Sequence, residues 1–203
     1  VSHHKSTLLI GGMYSFYNAG SATNFSNHAY KMGPLHYGIL ERGCKTASGS
    51  HIVMPATIGS FSVCFGKITN HPDTTAFPFS YIIAYNDKPC IVPGRNIATV
   101  GLYRDIRKWH KRDLRPQGKQ KSIIKFEWLS PFTAFELFRG KHNLEMLKRT
   151  CGVNSDSYIY KGYTIKASNL DKGIRLYDIA LHIYIGEMLK KAKLLDIFDK
   201  PLE

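Results

Sequence analysis

A six-residue rhythm in the first third of the chain constrains its fold more than any other feature. Taking every sixth position from Ile10 gives Phe16, Ala22, His28, Pro34, Leu40, Thr46, Ile52, Ile58 and Cys64, most of them small or apolar. The clearest unit is Ile58-Gly59-Ser60-Phe61-Ser62-Val63. A hexad of aliphatic, Gly, two variable positions, a small residue and one more variable position suits short strands joined by tight corners. One aliphatic per strand faces inward, and with three hexads to a turn, residues eighteen apart stack. His28 and Pro34 are poor inward residues, which places a slip or a loop near 27–38. Ordinary antiparallel β-structure with Gly-rich turns explains the rhythm nearly as well. The expectation drawn here is an α+β fold. A short left-handed parallel β-helix of hexapeptide-repeat type, with closing strands, would occupy residues 1–95. A basic, mainly helical region would follow over 96–203.

Beyond the rhythm, Tyr81-Ile82-Ile83-Ala84-Tyr85 and Cys90-Ile91-Val92 read as strands joined by the turn Asn86-Asp87-Lys88-Pro89. Ile97, Val100, Tyr103, Ile106 and His110 fall at helical spacing, with Asn96 as N-cap. Ile123 to Leu129 suits a strand. Ser130-Pro131 opens a helix that is expected to break near Gly140 and resume over 143–150. Tyr158 to Ile165 suggests a small hairpin. A last helix, capped by Asn169 or Asp171, lines Ile174, Tyr177, Ala180, Leu181, Tyr184, Met188 and Leu189 along one face.

Charge narrows the partners. The 203 residues carry a formal net charge of +13, which favours anionic ligands: phosphorylated metabolites, nucleotide-sugars, nucleic acid or an acidic surface. The plain alternative is a solvated basic surface. Cys44, Cys64, Cys90 and Cys151 are widely spaced and form no CxxC pair, which suits reduced thiols in a cytoplasmic protein better than a zinc knuckle. No stretch reaches the roughly 18 apolar residues of a membrane span. The start Val1-Ser2-His3-His4-Lys5 suggests a fragment of a longer chain. P-loop, GxGxxG, HExxH and GxSxG motifs are missing from the sequence, so nucleotide hydrolysis, dinucleotide redox and serine-hydrolase chemistry gain no support.

Several unusual residues follow one another in an order that resembles a known family. They are His3-His4 with Ser6, Met13, Asn18, Ser26-Asn27-His28, Arg42-Gly43, Ser50-His51, Phe61, Gly66-Lys67, Pro78-Phe79-Ser80 and Arg112-Asp113. This order is similar to that of the bacterial proteins of domain of unknown function 4954, over roughly residues 3 to 113. Lys67 is followed here by Ile-Thr-Asn-His, where that family carries an Asp-Tyr-Pro run. The front half of these proteins resembles hexapeptide-repeat acyl- and nucleotidyltransferases. The resemblance therefore implies transfer chemistry on an anionic sugar or nucleotide-sugar, with acyl-CoA or a nucleotide-sugar as co-substrate. It also implies a homotrimer with grooves between subunits.

Histidine is the general base such a reaction uses, taking a proton from the attacking hydroxyl or amine. His28, after Ser26-Asn27, is the first candidate and His51, after Ser48-Gly49-Ser50, the second. Either also fits a structural role, hydrogen-bonded to backbone at a corner. Asn27, Arg42 and Lys67 are candidate substrate contacts, the two cations for phosphate, with Arg95 behind them; surface solvation explains each equally well. A metal site from His3, His4, His28 and His51 is weaker, because adjacent strand side chains point apart, and none is assigned. A non-catalytic scaffold or sugar-binding module is the alternative function. Nucleic-acid binding through the basic run 104–115, with Tyr103 and Trp109, ranks last. It requires those cations to share one open face, whereas Trp109 falls on the same stripe as Ile106 and suits a core position.

Overall fold

Short strands follow from the tight corners between them: Gly43, Gly49 and Gly66 hold φ of 73°, 72° and 74°, a region that side chains disfavour. The computed structural model of the protein describes residues 12–14, 16–26, 38–85, 88–112, 114–116 and 124–194. Nine strands come first: β1 (Gly12–Tyr14), β2 (Tyr17–Asn18), β3 (Asn24–Ser26), β4 (Gly38–Leu40), β5 (Cys44–Thr46), β6 (His51–Val53), β7 (Ala56–Ile58), β8 (Val63–Phe65) and β9 (Lys67–Ile68). They pair in parallel as β1-β4-β7, β2-β5-β8 and β3-β6-β9. Ile39 lies opposite Thr57, Lys45 opposite Val63 and Val63 opposite Tyr81, each eighteen residues further along. The positions singled out by the rhythm point inward: Phe16, Leu40, Thr46, Ile52, Ile58 and Cys64 are all buried. Ala22 is the departure, an exposed turn residue with φ of 57°. His28 and Pro34 lie outside the described residues.

The fold class differs from the expectation. An α+β fold with a left-handed β-helix and a helical tail is overturned by the sheet topology, which supports an α/β fold. After β8 the chain adds β10 (Tyr81–Tyr85) and β11 (Lys88–Val92), an antiparallel pair, and later β12 (Ser157–Tyr160) and β13 (Tyr163–Lys166), another. With β2, β5 and β8 these build one seven-stranded, mostly parallel sheet in the order β12-β13-β11-β10-β8-β5-β2, flanked by the two three-stranded sheets. The hexad rhythm reports only local pairing distance. It carries no information about the two hairpins that widen the sheet, nor about the helices laid against it.

Three α-helices are present among the described residues: α1 (Val100–Arg112), α2 (Pro131–Cys151) and α3 (Ala167–Leu194). Asn96 does not cap α1. It lies in a short 3-10 turn, Arg95–Ala98, and sends its side-chain amide to the Phe61 carbonyl at 2.7 Å. Val100 is outward and 81% exposed, so the packed stripe of α1 is Leu102, Ile106 and Trp109. Residues 124–129 form no strand.

Helix α2 starts as expected: the Ser130 hydroxyl accepts from the Thr133 amide, and the Thr133 hydroxyl accepts from the Ser130 amide. It runs unbroken through Gly140. A Cβ there would lie 2.8 Å from Tyr177 Cε2, so the glycine admits α3 closely and leaves the helix intact. Tyr177 is fully buried and its hydroxyl donates to the Pro78 carbonyl at 2.7 Å, pinning α3 to the turn before β10. Helix α3 begins at Ala167, ahead of both residues expected to cap it, and Asp171 pairs with Lys148 of α2. No helix among the described residues is long and apolar enough to cross a membrane.

Candidate functional site

Parallel register brings together one part of the expected constellation. On the sheet β3-β6-β9, Asn24 lies opposite His51 and His51 opposite Lys67. Their neighbours Phe25, Ile52 and Ile68 are buried. Because strand side chains alternate, Asn24, His51 and Lys67 share the face of the sheet opposite those buried neighbours, and on it the Nε2 of His51 is itself buried. Asn24 and His51 are half-buried and Lys67 is exposed. His51 is the first residue of strand β6, directly after the turn at Gly49, with Lys67 opposite it. His28 and Asn27 lie outside the described residues, as do His3 and His4. Among the described residues no group of three or more His, Cys, Asp or Glu side chains is placed to hold a metal ion.

Arg42 is not part of this row. It occupies the turn between β4 and β5, and its Nη2 donates to the carbonyls of Lys125 and Glu127 at 2.6 and 3.2 Å. Its guanidinium lies 5.7 Å from the Phe16 ring centre and 5.8 Å from that of Phe61. Burial lowers its pKa, and the nearby carboxylates of Glu127 and Glu136 oppose that shift. Arg42 thus ties the 124–129 segment down over two aromatic rings, a structural role.

A cleft that the sequence does not reveal opens between α1 and the strands β2, β5 and β8, with a volume of about 270 Å³. Its walls include five aromatic residues, Phe16, Phe61, Phe65, Tyr81 and Trp109. Trp109 stacks on Phe126, with ring centres 5.6 Å apart and planes within 10°, so its stripe faces the protein as its spacing with Ile106 suggests. Polar groups from both walls meet in it: Lys45 Nζ of β5 donates to Asp105 Oδ2 of α1 at 2.7 Å, and Arg104 Nη2 lies 3.3 Å from Asp105 Oδ1. Arg104 also lines a second, shallower hollow on the outer face of α1 with Val100, Tyr103, Arg107, Lys108, Lys111 and Arg112. The cations of α1 therefore share a face. No motif marks Lys45 or Asp105, which meet across sixty positions of sequence.

Two carboxyl groups, those of Glu41 and Glu136, meet away from the cleft lining. Glu41 Oε2 accepts from the Ser60 amide and hydroxyl at 2.8 and 3.1 Å, while Glu136 of α2 is 8% exposed. Burial, reinforced by the Glu41 carboxyl, pushes Glu136 up to about 8, so at neutral pH it is largely protonated. Burial likewise raises the thiols of Cys44 and Cys64, the latter to about 12, which removes both as thiolate nucleophiles at neutral pH.

The family model described as Domain of unknown function (DUF4954) matches residues 1–148. No curated protein and no solved structure matches the chain. The matched span covers β1 to β11, the cleft, α1 and most of α2, well over half of the sequence, and the chain belongs to the DUF4954 family.

Proposed function

We propose that this chain is a transferase domain acting on an anionic sugar or nucleotide-sugar, with His51 as general base and Lys67 as the phosphate contact. The observation that supports this reading is the register of β6 and β9, which sets an imidazole directly opposite an exposed ammonium. An imidazole ring nitrogen suits removal of a proton from an attacking hydroxyl or amine. The ammonium is a point charge suited to hold a phosphate beside that attack. Asn24, on the other side of His51, supplies an amide to orient the acceptor. The test is product formation, followed by mass spectrometry, from a panel of sugar phosphates. Each is supplied with either acetyl-CoA or a nucleoside triphosphate, for the wild type and for His51→Asn.

A second reading, a non-catalytic binding module, is favoured by the cleft under α1, whose five aromatic side chains and mutually paired Lys45, Asp105 and Arg104 suit holding a ligand more than activating it. It predicts ligand binding without turnover.

A further inference from the structure

The cleft and the cationic face of α1 are adjacent, and Arg104 belongs to both. At about 270 Å³ the cleft falls short of the roughly 300–1,000 Å³ of pockets that enclose a whole drug-sized ligand. It has room for one flat ring system and its pentose, and the rest of such a ligand must lie outside. The walls suit that head: five of the lining residues are aromatic, Phe65 and Tyr81 in contact with each other, while the Lys45–Asp105 pair presents a donor and an acceptor to ring or ribose groups.

Outside the cleft the next surface is cationic. Arg104, Arg107, Lys108, Lys111 and Arg112 are all exposed, and none of the seven residues lining the outer hollow is acidic. Arg104 and the pair Arg107 and Lys108 lie one helical turn apart, about 5.4 Å along the axis. Two linked phosphates fit that spacing, and guanidinium groups bind phosphate in a bidentate manner. We infer that this chain binds a nucleoside diphosphate moiety, its base and ribose in the cleft and its phosphates on Arg104, Arg107 and Lys108. The inference does not depend on His51. It applies equally to a nucleotide-sugar and to the nucleotide end of a coenzyme thioester. A single-stranded nucleic acid would use the cationic face alone, and nothing in that case requires the cleft.

Calorimetric titration of the whole chain separates these cases. ADP or UDP binds at least tenfold more tightly than the matching nucleoside or pyrophosphate, because only the diphosphate engages both halves. Arg104→Ala combined with Arg107→Ala weakens diphosphate binding tenfold or more. Gly101→Phe tests the cleft. A Cβ on Gly101 meets nothing nearer than Thr99 Oγ1 at 3.8 Å, so the helix accepts the side chain while its ring occupies the cleft. That variant melts no lower than the wild type and loses diphosphate affinity by tenfold or more. His51→Asn retains wild-type diphosphate affinity, so failure of the transferase reading leaves this result standing. The inference is overturned if neither diphosphate binds below millimolar concentration, or if Gly101→Phe binds as tightly as the wild type. It is also overturned if a single-stranded oligonucleotide binds tenfold more tightly than either diphosphate and ignores Gly101→Phe.

Discussion

The rings of Phe61 and Phe79 stack with centres 5.0 Å apart and planes within 5° of parallel, although the two residues are eighteen positions apart and both hold positive φ, 54° and 56°. Gly43, eighteen residues before Phe61, shares the conformation with φ of 73°, and a Cβ on it would lie 2.3 Å from Phe61 Cδ1. The left-handed region costs a side-chain-bearing residue roughly 1–2 kcal/mol, so burial of the stacked rings must offset the cost at both phenylalanines. Phe79→Ala is expected to destabilise the protein by about 3–5 kcal/mol in urea unfolding. Gly43→Ala and Gly49→Ala form a control pair. Gly49 has φ of 72° with open space around it, so its substitution costs only the conformational penalty. Gly43→Ala loses more, and equal losses would contradict the ring contact.

Asn96 locks this corner from outside. Its backbone amide donates to the Phe79 carbonyl at 2.8 Å and its side chain to the Phe61 carbonyl at 2.7 Å. Asn96→Ala leaves a buried carbonyl without its donor, at a cost of about 1–3 kcal/mol. Unfolding midpoints measure it. Asn96→Asp removes the same donor and adds a buried charge, so its midpoint at pH 7 falls below that of Asn96→Ala.

Glu136 makes stability depend on pH. Its folded-state pKa, about 8, lies above the ordinary 4.5. Between those values the folded protein keeps a proton that the unfolded chain has released. This contribution to stability is therefore full below about pH 4.5, declines as pH rises, and levels off above about pH 8. Glu136→Gln is neutral at every pH and removes the slope. The difference in urea midpoint between Glu136→Gln and wild type should grow in favour of the variant from pH 5 to pH 8. A constant difference would contradict the buried carboxyl pair.

Local periodicity made the inward positions of the early strands legible in the sequence, from Phe16 to Cys64, because a buried face repeats wherever corners are regular. Ser130-Pro131 announced α2, since capping uses only neighbouring residues. The hairpins β10–β11 and β12–β13 were legible for the same reason. Gly140 was misleading: a glycine that breaks a helix and one that admits Tyr177 look identical in sequence. Fold class was not legible, because the seven-stranded sheet joins strands far apart along the chain. The candidate site was legible only in its His51 and Lys67. Lys45 with Asp105, and Glu41 with Glu136, are pairs between distant segments, and composition places no mark on either. Arg42 carried the right charge for phosphate, yet the carbonyls of Lys125 and Glu127 engage it first.

A comparison of kcat and KM shows whether His51 and Lys67 act together on an anionic substrate. Wild type, His51→Asn and Lys67→Ala are assayed with whichever sugar phosphate and donor pair gives product. His51→Asn is expected to lower kcat by about 10²–10⁴-fold, the usual worth of a general base. Lys67→Ala is expected to act mainly by raising KM for the phosphorylated substrate. Absence of product from the whole panel, or turnover by His51→Asn at the wild-type rate, would contradict their joint action.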